Sequence, residues 1–122
     1  RKQITQNRIV RNPSLAQKIK RYYDFKCQIC GERLDSLKGP YAEAAHIKPL
    51  GTPFNGPDIG ENILCLCPNH HKLLDVGGIK ITPDLQIINF EYKSVIGSLK
   101  TIRRHSVGLE YLSWHWEQWN WN

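Results

Sequence analysis

An α+β fold is the class this sequence predicts, on three observations. Amphipathic helical stretches lie near both ends, short apolar runs broken by Gly and Pro lie between them, and paired cysteines with neighbouring histidines punctuate that middle. The 122 residues suffice for one domain with a modest hydrophobic core, of a size that a metal staple helps to hold. The cysteines fall as Cys27–Cys30 and Cys65–Cys67 rather than scattered as a disulfide lattice, which favours metal binding in a reducing cytoplasmic setting over secretion.

Charge narrows the partner class. Seventeen Lys+Arg against eleven Asp+Glu give a formal charge of +6, and each phosphate that such a surface neutralises releases condensed counterions, so a polyanion is the leading partner. No signal peptide or membrane span is visible, and no membrane partner is expected. The chain opens Arg-Lys-Gln and has no Met, which reads as a piece of a longer protein.

Each element has a local reason. Residues 1–12 are polar and basic around Ile4 and Ile9-Val10, and read as a linker or an edge strand; residues 13–122 form the domain. Asn12-Pro13-Ser14 starts a helix, with Asn12 as cap and Pro13 at the first helical position. Leu15, Ile19, Tyr22 and Tyr23 then recur at helical spacing opposite Lys18, Lys20 and Arg21. Residues 31–40 read as a loop with Leu34 and Leu37 tucked under the first cysteine pair. Residues 41–50 read as a short strand in which Ala44, His46 and Lys48 share one face while Ala45 and Ile47 enter the core. A Gly- and Pro-rich surface loop over 51–60 leads to the apolar strand Ile63-Leu64-Cys65-Leu66. Pro68 stops that strand and opens a helix, which Gly77-Gly78 ends.

Beyond it, 79–82 and 85–88 predict a hairpin or meander, 94–97 a turn, and 99–102 a further strand before the basic Arg103-Arg104-His105. A terminal helix from Gly108 places Leu109, Leu112, Trp116 and Trp119 at spacings of three and four, as a packing stripe. Trp114 and Trp121 are the tryptophans available for an exposed stacking or docking surface.

The metal chemistry is the most specific signal. Cys27-x-x-Cys30 and Cys67-x-x-His70 are two knuckles offering the sulfur and nitrogen ligands of tetrahedral zinc. Replacing His70 by Cys65 gives a four-sulfur set, ranked second because Cys65 sits inside an apolar run where a cysteine acts as a small hydrophobe. Neighbours on a helix diverge by about 100°, so His70 and His71 do not easily serve one ion. His71 instead shares a face with Asp75.

With His70 given to zinc, His46, Asn62 and His71 remain. Ala44-Ala45-His46-Ile47, Asp58-Ile59-Gly60-Glu61-Asn62, Leu66-Cys67-Pro68-Asn69-His70-His71 and Asp75 resemble the motif of HNH endonucleases of the ββα-metal fold, in their zinc-stapled branch. The core would span about 41–76. More loosely, the helix into Cys27 and the terminal Tyr111-Leu112-Ser113-Trp114-His115 helix resemble the HNH domain that follows an SRA (YDG) reader in modification-dependent restriction enzymes.

The resemblance implies an enzyme that hydrolyses double-stranded DNA to 5′-phosphate and 3′-hydroxyl ends, in a whole protein whose N-terminal reader recognises 5-methylcytosine or hydroxymethylcytosine. It implies His46 as general base, Asn62 as the residue that pins the loop, and His71 as ligand of a catalytic Mg2+ or Mn2+. Asp75 is kept as a further ligand and Glu43 as a poorer one. Lys48, Lys72, Arg103 and Arg104 are the candidates for DNA-backbone contacts. One departure stands out: many relatives carry Asp or His just before the base, as a metal ligand, where this chain has Ala45. Cleaving both strands needs two sites or two encounters, which a homodimer would supply. Two other classes stay open, a zinc-stapled DNA-binding module without catalysis and a protein-interaction domain docking through its tryptophan helix.

Overall fold

The computed structural model describes residues 12–121. The linker or edge strand expected over 1–12 therefore lies outside the described residues except at Asn12. Three helices and seven short strands follow in the order α1 (Pro13–Tyr22), β1 (Leu34–Ser36), β2 (Gly39–Tyr41), β3 (Glu43–His46), β4 (Ile63–Leu66), α2 (Pro68–Asp75), β5 (Ile79–Ile81), β6 (Gln86–Asn89), β7 (Val95–Ser98) and α3 (Leu109–Gln118). No helix among the described residues is long and apolar enough to cross a membrane.

The centre is the antiparallel β3–β4 hairpin and the helix that follows it. Glu43 pairs with Leu66 and His46 with Ile63, so the hairpin carries His46 at the end where the 51–60 loop leaves. All four residues of β4 are fully buried, which explains why it reads as a continuous apolar run rather than an alternating one. Leu64 and Leu66 join Ala45, Leu74, Ile81, Ile87 and Leu112 in the main core. Ile63 and Cys65 lie outside that cluster, and the Cys65 Sγ meets the Lys26 carbonyl at 3.4 Å. α1 packs against this hairpin, and α2 packs against both the hairpin and β5. Asn12 caps α1 by accepting from the Leu15 N–H at 3.1 Å.

Two glycines are required by geometry. A Cβ on Gly56 would collide with the Lys48 carbonyl, and its N–H donates to the Pro49 carbonyl at 2.7 Å, so the 51–60 loop folds back onto the end of β3. Gly77, at φ +76°, leaves α2 in the left-handed region favoured by glycine and lies against the Trp119 ring.

Several sequence expectations are corrected. The 31–40 segment is a β1–β2 hairpin rather than a loop. Leu34 and Leu37 are exposed rather than tucked under the cysteines. Val95–Ser98 is a strand paired with β6, not a turn. Residues 99–102 form no strand; the Leu99 N–H donates to the Leu85 carbonyl, the Lys100 N–H to the Gln28 carbonyl, and Ile102 makes an isolated bridge to His105. The buried face of α3 is Leu112 and His115, while Leu109 and Trp116 are exposed. His115 takes a core position because its Nε2–H donates to the Leu74 carbonyl at 2.7 Å, satisfying the ring while tying α3 to α2. Trp121 is not an open stacking surface: its Nε1–H donates to the Gly77 carbonyl and its ring packs edge-on against Phe90.

Candidate active site and metal centre

The α2 N-terminus gathers the metal centre. Cys67 is the N-cap, Pro68 fixes the first helical φ, and the Cys67 Sγ accepts from the His70 N–H at 3.5 Å. From the other side, the turn closed by the Gly31 N–H on the Cys27 carbonyl brings in Cys27 and Cys30. The ligand atoms of Cys27, Cys30, Cys67 and His70 all lie within 4.8 Å of one another. Cys30 and Cys67 sulfurs are 3.8 Å apart, and the His70 Nδ1 lies 3.3 Å from the Cys67 Sγ. Zn–S bonds of about 2.3 Å in a tetrahedron give sulfur–sulfur edges of roughly 3.8 Å, so the four residues fit a zinc ion.

The electrostatics agree. Burial pushes the Cys27 thiol up, but N–H groups of Cys30, Cys67 and Ile29 outweigh it and bring the thiol below its usual value. Desolvation and the adjacent Cys27 push Cys30 up to about 12, a repulsion that a divalent cation relieves. Burial lowers His70, which keeps its imidazole neutral and able to ligate. Cys65 lies outside this group.

The second site is a cleft of about 510 Å3 whose walls include His46, His71, Asp75, Phe54, Trp114 and Trp119. Its chemistry is organised as two histidine–carboxylate sets. His46 places Nε2 at 2.8 Å from Oδ1 of Asp58, and the other Asp58 oxygen accepts from the Asn12 N–H at 2.6 Å. A carboxylate accepts only, so Nε2 carries hydrogen and Nδ1 is left as the proton acceptor. His71 sits between two acids, with Nδ1 at 2.7 Å from Glu43 and Nε2 at 3.4 Å from Asp75. Glu43 is thus nearer to His71 than Asp75 is. A hydrogen bond from the Tyr41 hydroxyl holds the Glu43 carboxyl below its ordinary value, with the His71 contact adding to it.

Asn62 is fully buried and spends its amide on backbone. Its Oδ1 accepts from the Lys48 N–H, and its Nδ2 donates to the carbonyls of Lys48 and Pro57, all at 2.9 Å. It therefore ties the end of β3 to the loop that brings Asp58 back.

The remaining sequence candidates scatter. Lys48 lies beside the cleft, with Nζ 5.9 Å from the Trp114 ring. Lys72 and Arg103 are exposed. Arg104 stands 5.1 Å from the Tyr22 ring, in a separate recess with Lys18, Gly60 and His105. Ala45 is fully buried in the core, on the strand face opposite His46, so that position faces away from the cleft. In the sequence, Asp58 stands out only as part of the Asp58–Asn62 motif. Its signal is an acid in a loop that Asn62 ties back toward the His46 end of β3. Among the described residues, no second cluster of three or more metal-ligating side chains forms beside the cysteine group.

The sequence profile of HNH endonucleases matches residues 27–82. Those residues form an HNH endonuclease domain. A solved structure of a modification dependent TagI restriction endonuclease is similar to this HNH domain with a TM-score of 0.87 and 37% identity. The match covers 95% of this chain and 42% of the TagI chain, so the HNH domain spans less than half of that protein's length. No curated protein matches the chain.

Proposed function

We propose that this HNH domain is a metal-dependent DNA endonuclease in which His46 takes the proton of the attacking water. The observation that supports this reading most directly is the His46–Asp58 pair on the wall of the cleft. The carboxylate holds the imidazole in one tautomer, leaving Nδ1 as base, and it offsets the positive charge the ring gains when it takes the proton. Asn62 acts through backbone: by fixing Lys48 and Pro57 it holds the His46 end of β3 and the Asp58 loop in register.

His71 and Asp75, one turn apart on α2, offer one nitrogen and one hard oxygen to a catalytic Mg2+ or Mn2+, with Glu43 adjoining. That set fits a cation that keeps most of its water ligands. When bound, such an ion neutralises charge on the scissile phosphate and the leaving 3′ oxygen. The products on this reading carry 5′-phosphate and 3′-hydroxyl ends. Lys48, Lys72, Arg103 and Arg104 contribute to the positive surface that meets the DNA backbone, and the zinc site holds the frame. Dependence on a modified base, which the TagI enzyme's name carries, is assigned to the whole protein through a reader of SRA type; paired HNH domains would cut both strands.

A second reading, a DNA-binding module without catalysis, is favoured by the buried Ala45 and by a catalytic-ion set of few protein ligands. Plasmid nicking by the zinc-loaded protein in magnesium or manganese separates the two. The expected result is nicking by wild type and a loss of about 10²- to 10⁴-fold in His46→Ala. Equal nicking by both proteins would remove His46 as base. Salt-sensitive binding with intact DNA would establish the second reading.

A further inference from the structure

The cleft has more apolar wall than a phosphate contact needs. Besides His46, His71 and Asp75, the cleft is lined by Pro49, Leu50, Phe54, Trp114 and Trp119. Phe54 and Trp114 meet edge to face, with centroids 5.1 Å apart and planes at 69°. Each is only part-buried and neither belongs to the main core, so the pair forms a wall rather than filling the interior. It is also held in place. Gly56 anchors the loop bearing Phe54, and the His115 hydrogen bond to Leu74 anchors the helix bearing Trp114. Lys48, its backbone fixed by Asn62, brings a cation to the Trp114 ring.

We propose that the Phe54–Trp114 wall is a subsite for one unstacked nucleobase of the DNA, next to the phosphodiester cleaved at His46. This rests on the nuclease reading and deepens it. A duplex presents its phosphates and sugars outward and hides its base faces, so an aromatic wall gains most from a base that has left the stack. Lys48 beside Trp114 suits the phosphate attached to that base, and the volume lies in the range that encloses a single small ligand, about 300–1,000 Å3. Stacking tolerates any base because every base has a π face. The subsite would therefore favour unpaired over paired DNA without choosing a sequence.

Photocrosslinking tests this in the zinc-loaded full chain. The probe is a single-stranded oligodeoxynucleotide carrying 5-iodouracil, with calcium in place of magnesium or manganese to hold back turnover. The expected crosslinks map to Phe54 or Trp114. Trp114→Ala and Phe54→Ala each weaken binding of the oligonucleotide about tenfold, while Trp114→Phe, which keeps a ring face, recovers most of it. Zinc content and melting temperature confirm that the variants fold. Crosslinks confined to other residues, with unchanged affinity in both folded alanine variants, would overturn the subsite while leaving the nuclease reading intact. No binding of single-stranded or plasmid DNA by wild type would overturn both.

Discussion

Gln28 and Cys65 hold one another through two hydrogen bonds. The Gln28 N–H donates to the Cys65 carbonyl at 2.8 Å, and the Cys65 N–H donates to Oε1 of Gln28 at 2.8 Å. The remaining side-chain nitrogen of this fully buried glutamine donates to the Lys100 carbonyl at 2.7 Å. One side chain thus joins the cysteine turn, the central strand and the segment after β7. Gln28→Ala leaves the buried Cys65 N–H without that partner, at about 1–3 kcal/mol, and removes the part-buried bond to the Lys100 carbonyl. Urea unfolding at fixed zinc is expected to show a loss of at least about 1 kcal/mol; an unchanged midpoint would contradict this role for the joint.

The same strand separates the roles of two cysteines. Burial, with the nearby Cys27, pushes the Cys65 thiol up to about 12, so it stays a neutral, packed thiol. Cys65→Ala is expected to keep one zinc per chain, whereas Cys67→Ala loses it and uncaps α2 at once. Metal analysis after gel filtration decides the matter: zinc lost from Cys65→Ala would reinstate the four-sulfur set.

Asp58 offers a graded test of the catalytic reading. Asp58→Ala frees the His46 ring and leaves the charge it gains unopposed, so kcat is expected to fall by about tenfold to a hundredfold, less than in His46→Ala. Asp58→Asn keeps a hydrogen-bond acceptor and should fall between the two. DNA affinity in calcium should not change, because the carboxylate acts through the imidazole. A variant that weakens binding and leaves kcat alone would show Asp58 to be a substrate contact instead.

His115 makes stability depend on pH. Burial lowers its pKa from the ordinary 6.5, against the opposing hydrogen bond to the Leu74 carbonyl. The unfolded chain therefore binds a proton at a pH where the folded protein does not. Stability is full above about pH 6.5 and declines as pH falls through the unfolded value toward the folded one. His115→Phe should be less stable at pH 7.5, having lost the bond to Leu74, but should lose less on acidification to pH 5.5. Equal pH slopes in thermal melts of the two proteins would contradict the assignment.

Legibility followed the strength of the local pattern. β4 and α2 could be read because Ile63–Leu66 is apolar throughout and Pro68 marks the boundary. The convergence of Cys27, Cys30, Cys67 and His70 could be read from their spacing. The β1–β2 hairpin left little trace because Leu34, Asp35 and Ser36 are all exposed, so no buried face imposes alternation. β7 was hidden for a related reason: Val95 and Ile96 face solvent, and pairing with β6 makes the strand. On α3 the apolar stripe misled because a histidine with a carbonyl partner can occupy the core in place of a tryptophan. Asp58 and Phe54 were hard to assign because a loop's side chains acquire direction only when its return path is known.

The sulfur that caps α2 bears on how the protein comes to life. Eight residues make little more than two helical turns, too few to persist alone in water. This helix is fastened by Cys67 at its start and by the His115 bond near its end, and it carries His71 between them. With zinc on Cys67 and His70 the helix start would be held by the ion as well; without it, a single hydrogen bond to the Cys67 sulfur holds that end. On the zinc reading, metallation would be a maturation step, setting the helix that carries His71 before the cleft is complete.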